Sequence, residues 1–391
     1  MTEPEPRFDR YLLCQRAMFE APAHALVDAL AAALREHYGV LAAGLLLADY
    51  EMTVLCPVIG GAEPVRITGS AAGQVFVDRR AIVTEGPEGV RLLLPAAARG
   101  DAVGVLILDL EARPGPPVLD ELLSLATALG HDLRAADAVT DRYRDARRRT
   151  ALTVAAEMQW HLLPGRSCHK PEFVLAGQLE PAYSVCGDNF DWAAEDDHLV
   201  LTVTNGHGTG IEASLLTVLA VTAMRNARLA SPRISDHAAL ADQAVYAQHA
   251  GRRHLSSLLL RFDLNTGTVA AVDAGSPMVL RLRGAELTQV NLEAQLPLGM
   301  FESTVYVEQT FRAEPGDRLI VLSDGVHESP YGEQRYTEHG RLRQTLVGTR
   351  RLPPAEAVRA VLADHNVFRQ GVPLDDDAAI VVVDWAGWQQ P

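Results

Sequence analysis

Short runs rich in acids and glycine lie at the ends of β-like segments in the second half of this chain. They are Cys186–Trp192, Thr204–Gly208, Ser323–Gly325 and Asp375–Asp377. Hard cations prefer the carboxylate and water oxygens that such acids provide. Acids that converge from separate strand ends therefore indicate metal chemistry on a phosphate-like substrate, and the fold must bring those strand ends together.

Composition restricts the possible partners of the chain. Its 391 residues favour two domains, and a hydrophobic content of 48% is sufficient for ordinary cores. A net charge of −15 argues against binding to nucleic acid or to an anionic membrane. The strongest apolar runs, such as Val40–Ala48, are about half as long as a membrane span.

The cysteines and the first residues indicate a cellular compartment. The four cysteines have no paired spacing, which disfavours a disulfide framework or a zinc site and fits a reducing cytoplasm; they are Cys14, Cys56, Cys168 and Cys186. The start, Met1–Pro6, is acidic and lacks the order of a signal peptide. We therefore expect a cytoplasmic protein.

The first third of the chain predicts a small α/β sensor domain at residues 22–135, after an N-terminal tail or leading helix at residues 1–21. Helical spacing spans His24–Tyr38, and a second helix follows from Leu119. Strand-like runs lie between them, at Gly44–Ala48, Arg91–Pro95 and Ala102–Leu108. These strands and the closing helix resemble a GAF domain. The resemblance leaves open whether the domain senses a ligand or serves only for dimerisation.

A helical linker is predicted over residues 136–164. Leucines from Leu122 to Leu133 keep the 3-and-4 spacing of a coiled-coil seam, and neither proline nor glycine interrupts Ala135–Trp160. The arginines of Arg142–Arg149 favour a solvated helix face over an anion site. Such a linker, with the GAF-like domain, implies a homodimer.

From residue 165 to residue 387 the pattern becomes rich in strands with a few helices, which predicts an α+β sandwich. The strand candidates are Phe173–Leu179, His198–Val203, Leu255–Asp263, Thr268–Asp273, Met278–Leu282, Val305–Phe311, Arg318–Leu322 and Ala378–Asp384. The helix candidates are Ile211–Leu229, Asp236–Gln248 and Ala355–Asp364.

The order of motifs in this region resembles the SpoIIE-type branch of the metal-dependent PPM (type 2C-like) protein phosphatases. The segments that carry the resemblance are Met158–Pro164, Val185–Trp192, Val203–Ser214, Asp273–Pro277, Leu298–Gly299, Pro315–Asp317, Ser323–Glu328 and Asp376–Val383. The resemblance implies a PPM-type αββα β-sandwich. It also implies up to two Mn²⁺ or Mg²⁺ ions, which would activate a water for attack on phosphoserine or phosphothreonine.

The resemblance assigns roles to individual residues. Asp188, Asp324 and Asp376 become metal ligands and catalytic residues, and His207 shapes a turn or donates a proton. Gly187 and Gly325 would let the backbone approach the ions, while Asp191 and Asp377 would either support the metal ligands from behind or be structural. Taken singly, each acid is better explained as a turn former or a residue of a solvated loop; the ordered set favours a metal site.

Two departures from the family pattern bear on activity. The aspartate that bridges both ions in the family falls at Val203, and valine cannot ligate a metal. A family histidine falls at Ser276, which cannot replace an imidazole. A smaller change puts Cys186 where the family has glycine. We therefore expect weaker metal binding, with low or absent turnover.

The first hypothesis for function is a signalling phosphatase that acts on a phosphorylated regulatory protein similar to an anti-anti-sigma factor, under control of the GAF-like domain. The alternative is a degenerate pseudophosphatase that binds a partner without hydrolysis, which Val203 and Ser276 favour. A third hypothesis, a phosphohydrolase of small molecules, has no nucleotide-recognition loop to support it.

Overall fold

The computed structural model describes residues 7–50, 52–58, 63–149, 153–180, 186–275, 277–332, 334–370, 372 and 374–387, with side chains from residue 10 onward. The chain divides into two compact units, Met1–Ala151 and Leu152–Pro391. Within the described ranges, no helix has the length and apolar character needed to cross a membrane. All four cysteines are unbridged, as expected.

The N-terminal unit is one antiparallel sheet with helices on both faces. Its helices are α1 (Arg7–Glu20), α2 (Leu26–Tyr38), α3 (Ala71–Asp78), α4 (Pro116–Ala136) and α5 (Arg142–Arg147). Its strands are β1 (Ala42–Ala48), β2 (Val54–Pro57), β3 (Val65–Arg66), β4 (Ile82–Gly86), β5 (Gly89–Ala98) and β6 (Asp101–Leu110), in the order β3-β2-β1-β6-β5-β4. The three predicted strands are β1, β5 and β6.

Side chains of successive residues in these strands point to opposite faces of the sheet, which produces two hydrophobic cores. Leu45 and Leu47 of β1 pack with α1, α2 and α4, whereas Leu46 packs with α3 on the opposite face. Cys14 and Met18 of α1 are buried in the first of these cores. The segment predicted as a tail or leading helix is therefore a packed helix from residue 7. The GAF-like assignment stays a prediction.

The predicted continuous linker helix is wrong in its middle. Helix α4 ends at Ala136, α5 covers only Arg142–Arg147, and the next helix begins at Val154. Tyr143 explains the break, because its ring is buried in the N-terminal core and its hydroxyl donates to the Ala23 carbonyl. Helix α5 therefore folds back onto the N-terminal unit.

Two arginines of this segment are held by the N-terminal unit, whereas Arg148 and Arg149 are exposed, as a solvated face predicts. Arg142 pairs with Asp28, at the start of α2. Arg147 is buried, donates to the Ala48 carbonyl and lies over the Tyr50 ring. These arginines therefore fasten α5 to the N-terminal unit, which neither predicted alternative described.

The C-terminal unit contains two stacked antiparallel sheets. Its helices are α6 (Val154–Leu162), α7 (Ile211–Ala230), α8 (Ile234–His249), α9 (Asp324–His327), α10 (Arg341–Gly348) and α11 (Pro354–Phe368). Its strands are β7 (Ser167–Lys170), β8 (Phe173–Glu180), β9 (Asn189–Ala194), β10 (His198–Asn205), β11 (Ser256–Asp263), β12 (Thr268–Ala274), β13 (Met278–Arg283), β14 (Glu286–Gln289), β15 (Gln309–Arg312), β16 (Asp317–Leu322), β17 (Pro330–Tyr331), β18 (Gln334–Arg335) and β19 (Ala378–Trp385).

The order β15-β12-β11-β10-β9 forms one sheet, and β14-β13-β16-β19-β8-β7 forms the other. Strand β19 shows how they stack: Val381 and Val383 face the core between the sheets, whereas Ile380 and Val382 face α10 and α11. Helices α7 and α8 cover the outer face of the first sheet. The predicted α+β class and αββα sandwich are confirmed.

One strand prediction is too long. Of Val305–Phe311, only the part from Gln309 is a strand, β15. The side chain of Gln295 bonds both the N–H and the carbonyl of Val307. A side-chain amide therefore takes the place of a neighbouring strand there.

His365 predicts a pH-dependent stability. Its ring is fully buried against Tyr336, and neither nitrogen has a hydrogen-bond partner among the described residues. Burial lowers its pKa to about 4, against about 6.5 in the unfolded chain. Between these values the unfolded state binds the extra proton, so stability present above pH 6.5 is lost as the pH falls. The contribution is about 3 kcal/mol by pH 4.

Urea unfolding from pH 7.5 to pH 4.5 checks this prediction, with His365→Leu as the comparison. We expect wild type to lose about 2 kcal/mol more than the variant over this range. Equal losses in both proteins would show that His365 does not contribute.

Candidate active site

The three predicted acids lie at the ends of strands in the C-terminal unit. Asp188 directly precedes β9, Asp324 lies two residues after β16, and Asp376 lies two residues before β19. Strands β16 and β19 are antiparallel neighbours, so the end of one lies beside the start of the other. Strands β9 and β10 are related in the same way, which places Asp188 beside Gly206.

Asp377 joins the two sheets at this edge. Its Oδ2 accepts from the backbone N–H groups of Cys186, Gly187 and Asp188 at 2.9, 2.7 and 3.1 Å, and from Gln159 Nε2 at 2.6 Å. Four donors on one buried oxygen hold the loop before β9 against the start of β19. Asp377 is therefore structural, in line with the hypothesis from the sequence.

Asp188 is the most deeply buried acid of the three, with a relative exposure of 1%. Its Oδ1 accepts from the Gly206 N–H at 3.2 Å, whereas Oδ2 has no hydrogen-bond partner among the described residues. Burial raises the pKa of Asp188 well above its ordinary value, and the charges of Asp377 and Asp376 raise it further. An orphaned carboxylate oxygen among like charges is a position that favours a cation.

Asp324 and Asp376 are half-buried and line a cleft of about 150 Å³. Each uses Oδ1 to accept from the backbone N–H of the next residue, at 2.9 Å for Asp324 and 2.8 Å for Asp376. Burial raises the pKa of Asp376, with the charge of Asp324 as the next cause. Arg369 lines the same cleft.

The donor chemistry at this edge suits a hard divalent cation. Three carboxylates are electrostatically coupled, and one contributes a buried oxygen without a partner. As the side chains stand, however, the described part of the chain contains no group of three His, Cys, Asp or Glu residues close enough to hold a metal ion. The three carboxylates are therefore ligands of the type that binds a divalent cation, and they could hold one ion. Binding would require their side chains to move closer together.

Val203 is the residue at which the family resemblance expects a fourth acid. It lies in β10, pairs with Phe190 and Leu258 on the neighbouring strands, and is fully buried in the core between the sheets. Its side chain continues the apolar face formed by Leu199 and Leu201. Valine here serves inter-sheet packing and supplies no bridging oxygen.

His207 and Ser276 have different outcomes. His207 is exposed, and its ring stacks on His254 with centroids 5.2 Å apart. No hydrogen bond from a described residue links it to the three acids, so its proton-donor role stays a prediction. Ser276 lies outside the described residues.

The glycines at this edge allow close packing of the backbone. A Cβ on Gly325 would lie 1.9 Å from the Asp377 carbonyl oxygen, and one on Gly206 would lie 2.1 Å from the Cys186 carbonyl oxygen. Gly187 has a φ of +95°, which side-chain-bearing residues rarely adopt. These contacts bring the strand-end loops together.

Asp191 is separate from the acid cluster. It is buried on β9 and accepts from Arg225 and Arg228 of α7, each at 2.7 Å. Arg225 also donates to the Leu162 carbonyl at the end of α6. Asp191 therefore ties β9 to two helices, as its structural assignment predicted.

Gln159 of α6 was assigned no role from the sequence. Its Nε2 donates to the Asp188 carbonyl at 2.8 Å as well as to Asp377. The segment Met158–Pro164, which carries part of the family resemblance, contains this residue. The family resemblance of that segment could have drawn attention to Gln159. The spacing of its residues, however, does not show the direction of the Gln159 side-chain amide.

Gln159→Leu tests this positioning role. Loss of two buried hydrogen bonds, with one carbonyl left unsatisfied, predicts a decrease of about 2 kcal/mol in the free energy of unfolding. Urea unfolding measures it, with Gln243→Leu on an exposed position of α8 as the control. Equal stability of both variants would contradict the role.

Comparison with known proteins identifies the class of this domain. Residues 195–386 match the family described as Stage II sporulation protein E (SpoIIE). No curated protein matches the chain. The matched range contains Val203, Asp324 and Asp376 but begins after Asp188. The structure alone shows that Asp188 lies at the same edge.

Solved structures with some likeness include three phosphatase-related domains. The RsbU and RsbW domains of Rv1364c from Mycobacterium tuberculosis share 20% identity over 56% of this chain and 62% of theirs, with a TM-score of 0.48. The PP2C domain with a regulatory fragment of SpoIIE from Bacillus subtilis shares 17% over 56% and 65%, with a TM-score of 0.49. The SiaA-PP2C domain of Pseudomonas aeruginosa shares 20% over 59% and 94%, also at 0.49.

The chain thus spans less than two thirds of the first two chains, and TM-scores below 0.5 support no inference about function. The classification rests on the family match and on the sandwich with its acidic edge. Together they define a domain of the SpoIIE type with the PPM-type phosphatase fold. The C-terminal unit of this chain belongs to the SpoIIE family.

Proposed function

We propose that the chain is a cytoplasmic signalling phosphatase that hydrolyses phosphoserine or phosphothreonine on a small partner-switching protein similar to an anti-anti-sigma factor. The observation that carries the proposal is the position of Asp188, Asp324 and Asp376 at one edge of a SpoIIE-family domain. The buried, unpartnered oxygen of Asp188 supports it, because such an oxygen favours a nearby cation.

Asp188, Asp324 and Asp376 would hold Mn²⁺ or Mg²⁺, which activates a water and neutralises charge on a phosphoryl group. The protein contributes orientation. Gly206 holds one oxygen of Asp188 through its N–H, and Asp377 keeps the loop before β9 against β19. The cleft beside Asp324 and Asp376 gives the phosphoryl group access to the acids.

A second candidate is a pseudophosphatase that binds a phosphoprotein without hydrolysis. The fully buried Val203 favours it, because the site lacks one carboxylate that the family resemblance expects. The three acids and the open cleft favour activity. The two candidates differ in turnover, so an enzyme assay separates them.

Hydrolysis of p-nitrophenyl phosphate across Mn²⁺ and Mg²⁺ concentrations tests the first candidate, with Asp324→Ala as the control. We expect slow, metal-dependent hydrolysis that falls at least about a hundredfold in the variant. Equal background rates in wild type and variant would reject the enzyme and favour the pseudophosphatase.

We further propose that the N-terminal unit regulates this activity, and that it forms a homodimer. The homodimer now rests on the GAF-like resemblance alone, because the linker does not form one continuous helix. Sedimentation of the full chain tests it, and a monomer at micromolar concentration would reject it.

A further inference from the structure

The C-terminal unit contains a basic loop that contributes no residue to the acidic edge. It is His249–His254, which reads His-Ala-Gly-Arg-Arg-His and contains no acid, in a chain of net charge −15. It connects the end of α8 to β11. Two adjacent arginines with no acid between them and the loop ends give this place a positive charge in an acidic protein, which attracts an anionic partner.

The shape of the basic loop is fixed by its backbone. Ala250 and Gly251 have φ values of +51° and +75°, and the Ala250 N–H closes α8 on the Tyr246 carbonyl at 2.6 Å. A Cβ on Gly251 would lie 2.8 Å from the Met300 carbonyl oxygen, so the loop packs closely on the chain near Met300. The charges of the loop are therefore held in one place.

The basic loop lies beside the acidic edge. His254 stacks on His207 with an angle of 15° between the rings, and His207 directly follows Gly206, whose N–H bonds Asp188. Arg253 pairs with Glu212 of α7, the helix that follows the Gly206–Gly208 turn. A partner held by the basic loop would therefore lie next to the three acids.

Arg252 is the most available charge of the loop. It is exposed, its Nε donates to the His249 carbonyl at 3.2 Å, and no carboxylate of a described residue pairs with it. The adjoining first turns of α7 expose two apolar side chains one helical turn apart, Ile211 at 50% and Leu215 at 53%. Arginine next to exposed apolar side chains is a combination typical of protein interfaces.

We propose that the basic loop, with Ile211 and Leu215, is the docking surface for the phosphoprotein substrate, and that the substrate segment flanking its phosphorylated residue is acidic and carries an apolar side chain. This inference rests on the proposed function and adds the class of sequence that the site selects. Charge complementarity is its basis: the acids at the edge repel an acidic segment, and the basic loop offsets that repulsion beside them.

Short synthetic phosphoserine peptides test the proposal. Three peptides share the phosphoserine and one leucine but have acidic, neutral or basic flanks. Fluorescence anisotropy measures their binding, and phosphate release measures their hydrolysis. We expect the acidic peptide to bind wild type about tenfold more tightly than the basic one, with a preference that weakens in high salt.

Arg252→Glu should abolish the preference for the acidic peptide, and Leu215→Asp should weaken its binding, each with an unchanged thermal midpoint since both positions are exposed. Arg350→Glu makes the same charge change beside Arg351, past the end of α10, and should leave the preference intact. Equal binding of all three peptides, or an equal loss of preference in Arg350→Glu, would overturn the proposal.

Failure of the docking proposal and failure of the proposed function give different results. Selective binding of the acidic peptide without hydrolysis of any peptide would reject the phosphatase and support the docking surface. Hydrolysis at the same kcat/KM for all three peptides would support the phosphatase and reject the docking surface.

Discussion

Val203→Asp is expected to make the stability of the C-terminal unit depend strongly on divalent metal. Val203 is fully buried between Phe190 and Leu258, so a carboxylate there has no compensating charge in the absence of metal. An uncompensated buried charge costs about 3–5 kcal/mol, which corresponds to a decrease of roughly 6–20 °C in Tm for a domain of this size. With Mn²⁺ present, the added carboxylate gains a cation and most of the loss is recovered.

The phosphatase activity of Val203→Asp should also increase when Mn²⁺ is present. In Mn²⁺, Val203→Asp should hydrolyse p-nitrophenyl phosphate at least about tenfold faster than wild type, because a further carboxylate strengthens the metal site. Val203→Asn is the matched control, with the same size and a buried polar group but no charge. The hypothesis that Val203 weakens metal binding and turnover is wrong if the Asp and Asn variants respond equally to Mn²⁺. It is also wrong if wild type already hydrolyses the substrate as fast as Val203→Asp.

Asp377→Asn is expected to have the largest effect on stability among conservative changes at the acidic edge. One buried oxygen of Asp377 accepts from three backbone N–H groups and from Gln159, and the amide of Asn supplies a weaker, uncharged acceptor. We expect a loss of about 3 kcal/mol in the free energy of unfolding, measured in urea.

Asp375→Asn is the matched control for this change. Asp375 lies in the same acidic triple but is exposed, and its replacement should change stability by less than about 0.5 kcal/mol. Similar effects of the two substitutions would show that Asp375–Asp377 affect stability only through their total charge. That result would contradict the structural role of Asp377.

Much of the C-terminal fold follows from local patterns. Strand β19 alternates apolar side chains between two cores, and β10 carries the apolar run that ends at the Gly206–Gly208 turn. These patterns predict strands because side chains of successive residues point to opposite faces. The same reasoning missed β9, where the turn-like Gly187-Asp188-Asn189 run hides the start of a strand.

Features that depend on distant contacts could not be predicted from the sequence. Tyr143 breaks the linker helix because its ring is buried in the N-terminal core and its hydroxyl donates to the carbonyl of Ala23, a separation of 120 residues. The link from Gln159 to Asp377 spans a separation of 218 residues. Family resemblance selected Asp188, Asp324 and Asp376, which lie at strand ends in the structure, and the convergence of their side chains on a metal ion stays a prediction.

The number of Mn²⁺ ions bound per chain tests the account most directly. Isothermal titration of wild type and Val203→Asp, supported by a crystal structure of each in Mn²⁺, counts the ions at Asp188, Asp324 and Asp376. We predict one weakly bound ion in wild type and two in the variant. Two tightly bound ions in wild type, or none in either protein, would contradict the account.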